Sequence, residues 1–213
     1  MLRFARNDAK RSLSRNDTKN MPINQKHFKT LHSTFRGWEK ERREVQEHST
    51  NALQAAKQAI FSFHRNDWKS GEELLKKSLA ALKKAGKSQE KSIASNDEGV
   101  FNAALEEFAE ADLFRQFLFK KTIGPARGIE VTPETYLGGL SDTIGEILRY
   151  AMKQATERNF SELKRSTEAV EEIMSALIQF NFTGYLRTKF DQAKNARRKL
   201  EEIAYEVSLK SGK

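Results

Sequence analysis

The sequence predicts an all-α protein, a single bundle of six or seven mostly antiparallel helices. Three observations support this prediction. Apolar residues recur at helical spacing over long stretches, no segment alternates with the period of two expected for strands, and only 3 prolines interrupt the 213 residues. A hydrophobic content of 38% is sufficient for a buried core, although 31% of the residues are charged.

Composition restricts the classes of function. The absence of cysteine excludes disulfides, zinc sites built from thiolates and a cysteine nucleophile, and it is compatible with the cytoplasmic location that we expect. The formal net charge of +9 favours polyanionic partners, nucleic acid first among them. No apolar run is long enough to cross a bilayer, so no membrane partner is predicted. Six basic residues against two acidic ones among residues 1–20 predict a flexible basic arm over 1–24, ahead of one helical domain over 25–213.

The first two helices are predicted from their apolar stripes. One runs from about Gln25 to Phe63 and the other from Trp68 to about Ala85. Asn66-Asp67 can cap the start of the second helix, and Gly86 can end it. The polar residues 87–99 are predicted to form a loop. The stripes consist of Phe28, Leu31, Phe35, Trp38, Val45, Leu53, Ala56 and Ile60 on the first helix and Leu74, Leu75, Leu79 and Leu82 on the second. The first stripe is wide, and Phe28, Phe35 and Trp38 are expected to exceed what one bundle can cover, which favours self-association.

The later helices have recognisable starts. The third is predicted from about Val100 to Thr122. The fourth runs from Pro133 to about Glu157, with Thr132 as its cap and proline at its first position. Asn159 is predicted to cap the fifth helix, and Gly184 to separate it from the last one. Their inward residues are expected to be Leu163, Val170, Ile173, Leu177 and Ile178, then Leu186, Phe190, Ala193, Leu200, Ile203 and Val207.

Two of these helices carry paired acids. Glu107 and Glu110 are three residues apart, and Asp142 and Glu146 are four apart, so each pair lies on one face of its helix. The third helix is apolar nearly all round, which predicts burial, and carboxylates in such a helix need a compensating partner. That partner could be a basic side chain, a shared proton or a bound cation.

Glycines accompany the second acid pair. Gly138, Gly139 and Gly145 lie on the same side of the fourth helix as the acids, and each costs roughly 1 kcal/mol relative to alanine. They predict that another backbone or a ligand approaches closely there. Four carboxylates from two neighbouring helices would suit Mg²⁺ or Mn²⁺. Glu-x-x-Glu is common on charged helices, however, so the pattern alone favours solvated or salt-bridged acids over a metal site.

Four stretches resemble the translin superfamily and, within it, the translin-associated factor X branch. The most specific is Val131–Glu146, which is similar to the family pattern Val-Thr-Pro-x-x-Tyr-Leu-x-Gly-x-x-Asp-x-x-Gly-Glu. Ala56–Arg65 resembles the signature that ends in a His-Arg pair, and Leu200–Tyr205 follows the family pattern. Glu107–Ala111, followed by Phe114 and Phe117, resembles the Glu-x-x-Glu-Ala helix of the catalytic subunit. The resemblance covers residues 25–210.

The resemblance implies a metal-dependent endoribonuclease that hydrolyses RNA phosphodiester bonds inside a homo-oligomeric shell, expected to be an octamer. Glu107, Glu110 and Asp142 match the nuclease carboxylates and would hold Mg²⁺ or Mn²⁺, with Glu146 as a further catalytic acid. RNA, single-stranded or in a short duplex, is the expected partner, and single-stranded DNA is another. The short loop at 123–131 differs from eukaryotic members and suggests an archaeal form that serves as both shell and catalyst.

Six basic residues are predicted to contact nucleic acid. Lys57 aligns with a family lysine near the acids, for which a phosphate contact is expected. The others are Arg36, Arg42 and Arg43 on the first helix and Arg197 and Arg198 on the last.

Two other classes of function stay open. A non-catalytic nucleic-acid-binding shell would use the same fold, with the acids in structural roles. A ferritin-like di-metal protein would require Glu-x-x-His, and none of the 4 histidines follows a glutamate by three positions.

Overall fold

The computed structural model describes residues 23–91 and 98–211. Six helices and no strand occur in these residues, which confirms the all-α prediction. The predicted arm over 1–24 lies almost wholly outside the described residues. The helices are α1 (Gln25–His64), α2 (Trp68–Lys91), α3 (Glu98–Leu118), α4 (Pro133–Thr156), α5 (Phe160–Leu177) and α6 (Gly184–Ser211).

The helices pack around α3 and α4. α1 contacts α2 and α3, α3 contacts α4, and α4 contacts both α5 and α6. Buried apolar residues come from all six helices, and Phe108, Leu113 and Phe114 of α3 are among the most buried. This burial agrees with the nearly all-round apolar sequence of α3.

α1 has a core-facing half and an exposed half. Its 40 residues give it a length of about 60 Å at 1.5 Å per residue. The first buried side chain is Val45, and Phe28, Leu31 and Phe35 are each about half exposed. Residues 25–44 form the exposed half of α1, because α2 and α3 bury only the later part of the helix. The exposure of Phe28 and Phe35 agrees with the prediction that this stripe exceeds what one bundle can cover.

The predicted boundary between α2 and α3 is wrong. α2 continues past Gly86 to Lys91, and α3 begins at Glu98, so residues 87–91 and 98–99 are helical; residues 92–97 lie outside the described residues. The ring of Phe101 lies beside Gly86, and this packing compensates for the roughly 1 kcal/mol that glycine costs in a helix. At the other end of α2, Asp67 Oδ1 accepts the N–H of Ser70 at 3.2 Å, as expected of a cap.

Asp112, which is only 1% exposed, anchors the connection between α3 and α4. It accepts hydrogen bonds from Arg115 Nη2 at 2.7 Å, Gln116 Nε2 at 2.8 Å and the Arg127 N–H at 3.0 Å. Gln116 Oε1 accepts the Gly124 N–H at 2.9 Å. These bonds draw the chain back onto α3, so α3 ends at Leu118 rather than at Thr122 as predicted.

The starts of the last three helices follow the prediction in part. Thr132 Oγ1 accepts the N–H of Thr135 at 3.2 Å, which confirms it as the cap of α4. Asn159 precedes α5 but makes no capping bond, because its side chain donates to Gln154 and accepts from Ser161. Ile178, predicted to face inward, lies just beyond α5 and is exposed. Gly184 has a left-handed backbone (φ 54°) at the start of α6.

No helix in the described part of the chain is both long and apolar enough to span a membrane.

Candidate carboxylate site

The four predicted acids face one another across the contact between α3 and α4. Burial is the first cause that raises the pKa of Glu107 and of Glu110, and the negative charges of Asp142 and Glu146 raise both further. Since such effects weaken with distance, the four carboxylates lie near one another.

A fifth acid, Glu106, joins them. Its charge contributes to the raised pKa of Asp142, after the larger effect of burial. Glu106, Glu107, Glu110, Asp142 and Glu146 together form what we call the carboxylate cluster. The sequence prediction missed Glu106, although its position one helical turn before Glu110 places both on the same face of α3.

Two glycines of α4 allow the close approach of α3. A Cβ at Gly139 would lie 2.9 Å from the Glu106 carbonyl oxygen and 3.1 Å from the Glu110 amide nitrogen, and a Cβ at Gly138 would overlap the Glu106 carboxylate. Gly145 has no atom within 4 Å of its ideal Cβ position. The expected close approach of another backbone therefore occurs at Gly139, while Gly138 makes room for a side chain and Gly145 faces open space.

Glu110 has the most strongly shifted pKa in the carboxylate cluster. Burial, followed by the charges of Glu107, Asp142 and Glu146, raises its pKa to about 9, and only the Lys189 charge opposes this change. Its carboxyl group makes no hydrogen bond or ion pair within the described residues. Glu110 is therefore protonated at neutral pH unless a cation approaches.

Two of the other three predicted acids have partners on α1. Lys57 Nζ lies 3.5 Å from Glu107 Oε2, although the lysine itself is largely exposed. The buried His64 bonds Glu146 and stacks on Phe114, with the ring centroids 4.8 Å apart. The end of α1 thus supplies partial compensation for two of the five carboxylates.

α6 supplies the remaining partners. Lys189 Nζ lies 2.9 Å from Glu106 Oε1 and also bonds Asp142 Oδ2. The Tyr185 hydroxyl, one helical turn earlier, donates to Glu106. The prediction missed both residues, because local spacing on α6 does not indicate which distant helix its Tyr-x-x-x-Lys face will contact.

Of the basic residues predicted to bind nucleic acid, only Lys57 contacts the carboxylate cluster. Arg36, Arg42 and Arg43 lie on the exposed half of α1, and their side chains are accessible to solvent. Arg197 pairs with Glu171 of α5 and with Glu201, while Arg198 lies 3.8 Å from Glu202. Arg197 therefore has a structural partner across the α5–α6 contact, and its nucleic-acid role stays a prediction, as it does for the others.

The donor chemistry of the cluster fits a divalent cation. Carboxylate oxygens are the ligands that Mg²⁺ and Mn²⁺ prefer, and Glu110 is shielded, unbonded and surrounded by negative charge. No three Asp, Glu or His side chains of the described residues are already arranged to hold a metal ion. Lys57, His64 and Lys189 engage the neighbours of Glu110, so metal binding would require these side chains to move.

Solved structures share this fold. The chain resembles apo-NeC3PO at 22% identity over 84% of this chain and 95% of that one, with a TM-score of 0.76. It resembles AfC3PO in its complex with duplex RNA at 23% identity over 86% and 97% of the two chains, with a TM-score of 0.78. For AfC3PO alone the identity is 24%, the coverage 87% and 98%, and the TM-score 0.75.

The sequence comparisons agree with the fold. No curated protein matches the chain significantly. The model of the Translin family matches residues 40–211, which include the later part of α1, the whole of α2 to α6 and the carboxylate cluster. The predicted superfamily is thereby confirmed, while the translin-associated factor X branch stays a prediction. Because this match covers most of the sequence, the chain belongs to the Translin family.

Proposed function

We propose that this chain is a nucleic-acid-binding protein that hydrolyses RNA with a divalent metal ion held at the carboxylate cluster. The observation that carries the proposal is the convergence of five acids where α3 meets α4, with Glu110 unbonded and its pKa raised to about 9. Burying acids next to one another opposes folding, and perturbed groups of this kind concentrate at functional sites.

The acids would divide the chemical tasks. Glu107, Glu110 and Asp142 would hold Mg²⁺ or Mn²⁺, and the bound ion would supply an activated water and neutralise charge on the phosphate. Glu146 is hydrogen-bonded to His64 and 3.7 Å from Arg149. We assign the Glu146–His64 pair as the acceptor of the proton that the attacking water loses.

RNA is the proposed polyanion. AfC3PO, which shares the fold, has been solved with duplex RNA, and this chain carries a net charge of +9. Arg36, Arg42 and Arg43 would contact phosphates from the exposed half of α1, and Lys57 would contact a phosphate beside the cluster. Single-stranded RNA and single-stranded DNA are further proposed ligands. Backbone contacts of this type carry no sequence preference.

Self-association into a shell is the proposed context for this activity. Phe28, Leu31 and Phe35 form an accessible apolar stripe on α1, the kind of surface that marks a contact between proteins. A second copy of the chain is the proposed partner, and an octamer the proposed assembly.

The alternative is a binding shell without catalysis. It is favoured by the ion pairs of Lys57, His64 and Lys189 with the cluster, which already stabilise four of the five acids without a metal ion. In this alternative the acids hold helices together.

Cleavage assays with Glu110→Gln distinguish the two functions. With single-stranded RNA and Mg²⁺, wild type should cleave, and Glu110→Gln should lose at least about 100-fold in rate while its RNA affinity stays unchanged. Glu172→Gln, on the exposed surface of α5, is the matched control and should cleave like wild type. Cleavage that survives both Glu110→Gln and a chelator would refute the proposal, and binding without any cleavage would establish the alternative.

A further inference from the structure

Lys189 of α6 lies across the carboxylate cluster. Its ammonium bonds Glu106 of α3 and Asp142 of α4, so a single positive charge joins three helices. It also lies over the ring of Tyr185, with Nζ 5.3 Å from the ring centroid. The Tyr185 hydroxyl donates to the same Glu106 carboxylate and limits where that carboxylate can move.

The ammonium is held more firmly than the other cations near the cluster. The side chain of Lys57 is 60% exposed and that of Arg149 55%, whereas that of Lys189 is 18% exposed. Solvent screens exposed pairs strongly and shielded pairs much less. Lys189 is therefore the main internal counter-charge for the side of the cluster formed by Glu106 and Asp142.

Lys189 also stays charged. Its ammonium contacts two carboxylates at once, and both favour the charged form of the lysine. A divalent ion that approaches Asp142 would therefore meet a permanent positive charge already bonded to that carboxylate. Like charges at such short range repel, so the ammonium and the ion cannot both bind Asp142 at full strength.

We propose that Lys189 is a built-in competitor of the divalent metal ion, and that it must release Asp142 before the ion can bind there. The inference rests on the proposed metal site. It assigns to α6 a regulatory role at the cluster. Without a metal ion, the Lys189 ammonium balances part of the negative charge of the site. The metal affinity is therefore lower than the carboxylates alone would provide.

Metal affinity, measured by titration calorimetry with Mn²⁺ on the full chain, tests the inference. Lys189→Met removes the charge and keeps most of the side-chain length. Mn²⁺ should therefore bind to this variant about tenfold more tightly than to wild type. This factor is at the lower end of the changes in metal affinity that follow from substituting residues beside metal ligands. Lys189→Arg keeps the charge and should stay near wild type. Lys194→Met, on the exposed face of the same helix, is the control for a lysine-to-methionine change and should not alter the affinity. Circular dichroism verifies that each variant is folded.

The outcomes separate this inference from the proposed function. Suppose that wild type binds Mn²⁺ and that Asp142→Asn does not. If Lys189→Met then binds Mn²⁺ with the same affinity as wild type or a lower one, the metal site stands and the competitor role is refuted. If neither wild type nor Lys189→Met binds Mn²⁺, the metal site fails, and the inference fails with it. If Lys189→Met binds where wild type does not, and Asp142→Asn abolishes this gain, the inference is supported.

Discussion

Glu110 combines features that rarely occur together in a structural residue. Its carboxyl group is shielded, lacks a bonded partner within the described residues, and has three acids as neighbours. Its pKa is near the usual 4.5 in the unfolded chain and about 9 in the folded chain. The folded protein therefore binds a proton that the unfolded chain releases between these pH values.

The sign of this difference predicts how stability depends on pH. The contribution of protonated Glu110 is fully present below pH 4.5 and is lost progressively as pH rises to about 9, a loss on the order of a few kcal/mol. Glu110→Gln cannot ionise, so its free energy of unfolding should fall less than that of wild type between pH 5 and pH 9. Urea denaturation at a series of pH values in a chelator measures this difference.

The exposed Glu172→Gln provides the control for this series. It should keep the wild-type pH dependence, because a carboxylate in solvent gains little from folding. Identical slopes for wild type and Glu110→Gln would mean that Glu110 is ionised in the folded protein.

Individual residues were predictable where one helix contains the whole signal. Glu107, Glu110, Asp142 and Glu146 are recognisable because spacings of three and four residues place acids on one helix face. Glu106 was missed, and so were Lys189 and Tyr185, which lie about eighty residues further along the chain. Their contact depends on how α6 packs on α4, and no local spacing specifies that packing.

At the scale of helices, Gly139 determines how closely α3 and α4 approach. The ideal Cβ position at this residue is within 3.1 Å of two backbone atoms of α3, and backbone atoms cannot rotate away as a side chain can. Gly145, two turns later on the same helix, faces open space. One helix therefore offers two glycines with opposite environments.

This contrast predicts opposite effects of the same substitution. Gly139→Ala should destabilise the protein by about 1–3 kcal/mol, because α3 and α4 must separate to admit the methyl group. Gly145→Ala should stabilise it by about 0.5–1 kcal/mol, because alanine is the better helix former and nothing obstructs its Cβ. Urea denaturation measures both changes. If Gly139→Ala has the same free energy of unfolding as wild type, α3 and α4 pack more loosely at Gly139 than these distances imply.

Helix starts were predicted better than helix ends. Thr132-Pro133 and Asp67 act locally, so their capping chemistry could be read from sequence. The continuation of α2 past Gly86 and the end of α3 could not, because they depend on Phe101, which packs beside Gly86, and on the Asp112 network, which draws the chain back onto α3. Distant packing overrides local propensity at these boundaries.

For the whole molecule, the all-α class was predictable because 3 prolines and sustained helical spacing leave few alternatives. An excess of apolar surface on α1 was also predictable, because its stripe is wider than one bundle can cover. The point along α1 where burial begins was not, because an apolar stripe has the same spacing whether it faces the chain's own core or another molecule. The structure leaves Phe28, Leu31 and Phe35 about half exposed. A contact with another copy of the chain is the proposed cover for this stripe.

Charged residues placed in the apolar stripe of α1 should dissociate such an assembly. The double substitution Phe28→Glu and Phe35→Glu puts charge into an apolar contact and should reduce the mass measured by light scattering after size exclusion to that of a smaller species. Leu209→Glu, at another exposed apolar position on α6, is the control and should keep the wild-type mass. An unchanged mass for the double variant would exclude the stripe as the contact between copies.

The length of α1 has a mechanical consequence. No proline interrupts residues 25–64, and the helix that begins with the apolar stripe ends with Lys57 and His64 beside Glu107 and Glu146. Because α1 is one continuous helix, its exposed half and the side chains that touch the acids belong to the same element. A neighbour bound to the exposed half would therefore restrain the helix that carries these two side chains, some tens of ångströms from the point of contact.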